Sequence, residues 1–358
     1  MLAGSLGCLC KGRSLSAVGT VRVQQAAIFV SHGWMNSEPR EGFASLLLPV
    51  VSFISGWRPL RTRRYAQWNH SSSNRFKFSS RLLDEGRLSL NQALSCADSH
   101  VHVVRSFGRG SSFRRMTCGL LEKFFPDLKS SRLILAKDDP DLDVYKTNAG
   151  PWASRIIMGV KGAERQIAFI DQIAPKGAKV MIFDDNILKF MDCGKAIEAG
   201  AQLDELIAMG FNEMERAGAK IWSGSDSPNP AHWSAEVDVG KGLVYGAAFG
   251  MVAMHEDSRY SLFGQVMDDI ERSCRFYEHD GATVRVGRFQ VYKRHAPGMY
   301  HKRKGGISAS LSAEDYKAES SAARSALLQR FPQQLEAAET KLGMKFKHDR
   351  IRRAAFIL

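Results

Sequence analysis

The chain has 358 residues, 44% of them hydrophobic, which is enough for a substantial core and excludes a protein disordered throughout. Its formal charge of +13 is unevenly placed: residues 1–130 hold 18 Lys and Arg against 7 Asp and Glu, whereas residues 131–340 hold 26 against 29. That partition excludes a uniformly basic binder and describes a near-neutral body between two basic arms.

Residues 1–37 contain Lys11, Arg13 and Arg22 and no acid, a composition shared by organellar transit peptides and by basic leaders without an address; both readings stand open. The longest apolar run, residues 44–57, contains Pro49 and is too short to span a bilayer, so no transmembrane helix and no membrane partner are expected. Up to residue 125 no sustained period is visible. "RTRRYAQWNHSSSNRFKFSSR" and "RSFGRGSSFRR" are rich in Arg and Ser, with Tyr65, Trp68, Phe76, Phe78, Phe107 and Phe113 interleaved. Such segments serve as solvated linkers or, where the aromatics stack on bases, hold nucleic acid. The expected organisation is a basic, poorly ordered region 1–125, an α/β domain 126–335 and a basic tail 336–358. The six cysteines are dispersed without zinc spacing, which fits a reducing compartment. His100 and His102 share a strand face in "HVH", but no third ligand is near in sequence, so they are read as structural.

From Leu133 the pattern changes. "RLILA" and "RIIMGV" read as strands around the acidic loop "KDDPDLDVYKTNAGP". Asp139, Asp141 and Asp143 have the spacing that opens a calcium loop. Val144 stands where such a loop needs glycine and Gly150 where it needs glutamate, so calcium is excluded. "KGAERQIAFIDQIAPKGA" is a helix with Ile167, Phe169, Ile170 and Ile173 at helical spacing, ended by Pro175 and Gly177. "KVMIFDDNI" follows as a strand covered on both faces that terminates in Asp184, Asp185 and Asn186. Helical material then leads to a short strand at Lys220–Trp222. "KGLVYGAAFGMVAMH" and "TVRVGRFQVYK" read as further strands, and "SAEDYKAESSAARSALLQRF" as an amphipathic helix. There is no internal repeat, no phosphate loop ending in Gly-Lys-Ser/Thr and no dinucleotide fingerprint.

Two adjacent carboxylates at a strand end need either full solvation in a turn or a cation between them. Taken in order, "RIIMGVKGAERQ", "VMIFDDN", "VYGAAFGMVAMHEDSRYSLFGQVMDDIERSCRFYEHDG" and "YHKRKGG" resemble the GT-A glycosyltransferases, most closely the TET/JBP-associated group, over roughly residues 132–332. The resemblance implies a mixed, mostly parallel sheet with flanking helices and a UDP-sugar donor, UDP-glucose in particular. It implies Mn²⁺ or Mg²⁺ at Asp184 and Asn186, with Asp185 between them and His301, or His295, completing the metal or phosphate site. Asn186 departs from the family's second carboxylate. Gly162, Arg165 and Gln166 would face the donor beside Asp184 and Asp185. Asp269, with Asp268 as alternate, would take the proton from the attacking hydroxyl. Those same acids could instead merely open a helix, where the dipole favours them. A hydroxymethylated pyrimidine in DNA is the implied acceptor, held by the basic N-terminal arm, in an intracellular and preferably nuclear setting. The competing function is a non-catalytic nucleic-acid-binding protein carrying a degenerate transferase domain.

Overall fold

The computed structural model describes residues 76–97, 99–225, 236–260, 266–293, 312–340 and 342–347, and the backbone of 351–354. In chain order the elements are α1 (Ser80–Ser95), β1 (Val101–Ser106), α2 (Thr117–Phe124), β2 (Ser131–Ala136), α3 (Leu142–Asn148), β3 (Ile156–Gly159), α4 (Ala163–Ile173) and β4 (Lys179–Asp184). They continue with β5 (Ile187–Asp192), β6 (Lys195–Ala196), α5 (Gly200–Arg216), β7 (Ile221–Ser225), β8 (Glu236–Gly240), β9 (Ala248–Val252) and α6 (Asp268–Asp280). The last are β10 (Thr283–Lys293), α7 (Ala313–Arg330), β11 (Leu335–Ala337), β12 (Met344–Phe346) and β13 (Ile351–Ala354).

One large sheet runs β13-β8-β10-β7-β9-β4-β1-β2-β3, with β5 also paired to β10 and β6 to β5; β11 and β12 form a separate hairpin sheet. β3, β2, β1 and β4 are parallel neighbours, and β7 and β10 run the same way, while β9, β8 and β5 run against them. The expected mixed, mostly parallel α/β sheet is therefore present.

β4 shows why the apolar run was needed. Val180 and Ile182 enter a core with Leu90 and Ala93 of α1 and Ile167, Ile170 and Ile173 of α4. Met181 and Phe183 enter the opposite core with Leu203, Ile207 and Phe211 of α5 and with Trp222 of β7. All four β4 residues are fully buried, each worth roughly 1.5–3 kcal/mol of apolar transfer. A strand with helices on both faces cannot alternate with polar residues. A smaller core joins Ile270 and Cys274 of α6 to Leu327 of α7, Phe331, Leu335 and Met344.

Three expectations need correction. The region 1–125 is not uniformly without order: α1, β1 and α2 lie within it, and β1 pairs on both sides, with β2 and β4. Its period is hidden because His100, just ahead of β1, and His102 and Arg105 within it are polar yet buried. The acidic loop holds a helix, α3. The tail 336–358 is not wholly separate either, because β13 pairs with β8 and Met344 of β12 enters the core shared by α6 and α7. Residues 1–75 lie outside the described residues. Among the described residues no helix is long and apolar enough to cross a membrane.

Candidate active site

The chain leaves β1 toward β2 and β3 on one side and returns to β4 on the other, so strand order reverses between β1 and β4. In open α/β sheets that crevice, beyond the carboxyl ends of the strands, is where ligands bind. The ends of these two strands are in register: Arg105 is the ladder partner of Asp184. Arg105 Nη2 donates to Asp184 Oδ1 at 2.8 Å, and Lys293 Nζ, at the end of β10, lies 3.8 Å from Asp184 Oδ2. Arg105 also donates to the carbonyls of Ala163, where α4 starts, and Gly246, ahead of β9, at 3.2 and 3.4 Å. The Asp184 side chain remains 31% exposed, so a carboxylate with two cationic neighbours faces solvent at the crevice.

The turn after β4 is clamped by Thr117, whose Oγ1 donates to Asp184 O at 2.6 Å and accepts from Ile187 N at 2.9 Å. Asn186 Oδ1 is buried in this turn with no hydrogen-bond partner. An oxygen desolvated without a donor is costly, and a cation would relieve it. Asp184 and Asn186 thus meet the need of a hard divalent ion for oxygen ligands.

Asp185 is placed differently. It is buried, and its oxygens take Arg109 and the Ser106 hydroxyl. Burial raises its pKa, against the pull of Arg109. This engagement holds the loop after β1 and leaves Asp184 as the carboxylate at the crevice. The same loop is fastened by Asp139, which accepts from Gly108 N at 3.0 Å and Asp141 N at 2.8 Å, and by Asp141, which accepts from Gly110 N at 3.1 Å. The calcium-like acids Asp139 and Asp141 therefore bind backbone N–H groups.

On the far side of Arg105, Gly162 opens α4 with φ +103°, a conformation that disfavours any side chain. Arg165 is exposed on the first turn, while Gln166 is buried. Glu164 was not singled out by sequence, yet burial raises its carboxyl to about 7, with Asp268 adding to the rise and its own N–H, Arg165 and Arg105 opposing it. Asp268 pairs with buried Arg272 at 3.0 Å, and Asp269 accepts from Ile270 N at 2.9 Å. A Cβ on Gly246 would lie 3.6 Å from both Asp269 Cβ and Arg272 Nη2. Gly246 is thus the bridge between the Arg105–Asp184 pair and the acids that open α6.

The structure accordingly brings Asp184, the start of α4 after Gly162, and Asp269 together around Arg105 and Gly246, with Asn186 in the turn two residues past Asp184. His301 and His295 lie outside the described residues. Arg105, Arg109 and Lys293 were missed because basic residues near strand ends carry no local signal; Arg105 at the end of a central strand becomes conspicuous only once β1 is placed.

No family model matches the chain, and no curated protein matches it in sequence. Among solved structures it is similar to S. aureus TarS 1–349, with 9% identity over 64% of this chain and 65% of that one, TM-score 0.37. It is also similar to glucosyl-3-phosphoglycerate synthase from Mycobacterium tuberculosis in complex with Mg²⁺ and UDP, with 9% identity over 72% of this chain and 85% of that one, TM-score 0.40. A complex of that synthase with Mn²⁺, UDP and glucosyl-3-phosphoglycerate gives 9% identity, 72% and 87% coverage and TM-score 0.38. The chain spans about two thirds of the TarS fragment's length, at 65%.

Proposed function

We propose that the chain is a metal-dependent GT-A-type glycosyltransferase that moves a hexose from a nucleotide-sugar, UDP-glucose in the first instance, to a hydroxyl acceptor. The observation that carries this reading is the partly exposed Asp184 at the strand-order reversal, flanked by Arg105 and Lys293 and followed by the unpartnered oxygen of Asn186. It agrees with the resemblance of the surrounding motifs to that enzyme class.

Asp184 and Asn186 would hold Mn²⁺ or Mg²⁺, and the ion, when bound, offsets charge on the departing diphosphate. The amino end of α4, with Arg165 on its first turn, offers backbone N–H groups and a cation to the same phosphates. Asp269 takes the acceptor hydroxyl's proton as the new bond to the sugar carbon forms and the bond to the diphosphate oxygen breaks. A hydroxymethylated pyrimidine in DNA is the proposed acceptor, supported by the family resemblance and by the basic N-terminal segment.

Titration calorimetry with UDP and Mn²⁺, beside a transfer assay, tests this on two variants. Asp184→Ala is expected to lose metal-stimulated UDP binding and all transfer. Asp269→Asn is expected to bind UDP like the parent while transfer falls roughly 10²- to 10⁴-fold, the usual worth of a general base. The second reading, a non-catalytic nucleic-acid binder, has one observation in its favour: both strand-end acids are already paired with arginine. It requires that the parent itself bind neither UDP nor Mn²⁺.

A further inference from the structure

β1 ends at the candidate active site and begins at a second cluster of polar groups. His100 and His102, two residues apart, lie on the face covered by α5, and α5 brings Asp204 to them from about a hundred residues along the chain. His100 Nε2 and His102 Nε2 are 3.2 Å apart, and each is 3.5 Å from Asp204 Oδ1. A tetrahedral ion with ligand bonds of about 2.1 Å sets its ligand atoms roughly 3.4 Å apart, so this triangle has the edges of such a site. The other ring nitrogens are occupied: His100 Nδ1 lies 2.7 Å from Ser99 Oγ, and His102 Nδ1 lies 3.4 Å from Ser131 Oγ. With Nδ1–H donated to a hydroxyl, each ring turns its Nε2 lone pair inward, which is how metal-binding imidazoles are oriented.

Both rings are almost wholly buried, at 4% and 1% exposure, while Asp204 is 47% exposed. Phe211 packs on His100, and Phe125 and Phe183 on His102. The cluster is therefore walled by aromatics on the inside and open past Asp204, which provides an entry path and a position for a water ligand. Among the described residues it is the one group of three side chains that meets at metal-ligand distances.

We propose that His100, His102 and Asp204 bind one divalent transition-metal ion of the zinc class, fastening α5 to the start of β1. Two imidazoles and a carboxylate suit Zn²⁺ and exclude the hard Mg²⁺ or Ca²⁺. Three to five residues of strand put the cluster roughly 10–16 Å from Asp184's neighbour Arg105, beyond the reach of a shared ligand, so the role is structural and independent of the proposed transfer.

The test uses the full chain, stripped with a chelator and titrated with Zn²⁺ against a chromophoric competitor, with Co²⁺ absorption as the coordination probe. One equivalent is expected at micromolar affinity or tighter, with tetrahedral Co²⁺ bands and a higher Tm when loaded. Asp204→Asn, altered at a half-exposed position, is expected to keep its circular dichroism yet weaken Zn²⁺ at least tenfold and lose the bands. Asp184→Asn is expected to leave both unchanged. The site is overturned if the parent takes up no equivalent of Zn²⁺, which would make the two rings a hydrogen-bonded pair. It is also overturned if Asp204→Asn binds Zn²⁺ and Co²⁺ as the parent does.

Discussion

Glu164 has one carboxylate oxygen buried without a hydrogen-bond partner, and its folded pKa of about 7 stands above the ordinary value of 4.5. Between those two values the folded chain holds a proton that the unfolded chain releases, so stability contributed by this group is present below about pH 4.5 and lost as pH rises through 7. Glu164→Gln keeps the shape and removes the titration. The variant is expected to be more stable than the parent at pH 8 by roughly 1–3 kcal/mol and to differ little at pH 4, as read from urea midpoints. Equal midpoints for both proteins at pH 8 would show that the carboxyl is solvated after all. If Glu164 rather than Asp269 takes the acceptor's proton, transfer by the parent falls as pH drops below about 7 and Glu164→Gln loses it roughly 10²- to 10⁴-fold; transfer by Glu164→Gln at the parent rate leaves that role to Asp269.

At the level of strands and helices, the central sheet leaves no room for variation around Trp222. A Cβ on Gly250 of β9 would stand 2.1 Å from Trp222 Nε1, and one on Gly210 of α5 would stand 2.4 Å from the same indole. Two glycines from different elements thus make the slot that lets α5 lie on β7 and β9. Gly250→Ala forces the ring or the strand to move and is expected to cost about 1–3 kcal/mol, with an unchanged urea m-value. A midpoint like the parent's would mean the slot relaxes freely. "GLVYGAAFGMVAMH" yields only a five-residue strand, Ala248–Val252, and ahead of it the Gly246 carbonyl accepts from Arg105 instead of joining the ladder.

For the molecule as a whole, the basic excess lies ahead of the sheet in the chain. Residues 1–75 carry 9 Lys and Arg against 2 Asp and Glu, whereas the strands that build the crevice begin at Val101. A truncation for testing acceptor binding must therefore stop at residue 75 rather than 125, since the longer cut would remove β1 and with it Arg105. Deleting residues 1–75 is expected to leave UDP binding intact, to weaken binding to duplex DNA and to flatten the dependence of log K on log salt by about 0.9 for each phosphate the arm neutralises. An unchanged slope would remove this arm from the acceptor site.

Local pattern alone was sufficient for β2, β3, α4, β4 and β10, because an apolar run bounded by polar or breaking residues specifies a covered strand, and helical spacing with Pro175 and Gly177 specifies where a helix stops; α7 forms as a helix but, with only Ala323 and Leu327 fully buried, lacks the apolar face expected of an amphipathic one. It was also sufficient for the acid turn, since adjacent carboxylates after a buried run are conspicuous without any partner in view. What lay beyond it were the pairings made across the chain. Arg105 meets Asp184 after 79 residues, and Asp204 meets both histidines from a distant helix, because β1 is inserted between β2 and β4 and α5 folds back on its start. A buried arginine or histidine in a strand reads as polar, hence as loop, until the groups that satisfy it are brought beside it. Those groups come from ladder register and helix docking, which are set by the burial of both faces of the whole sheet and not by any neighbouring residue.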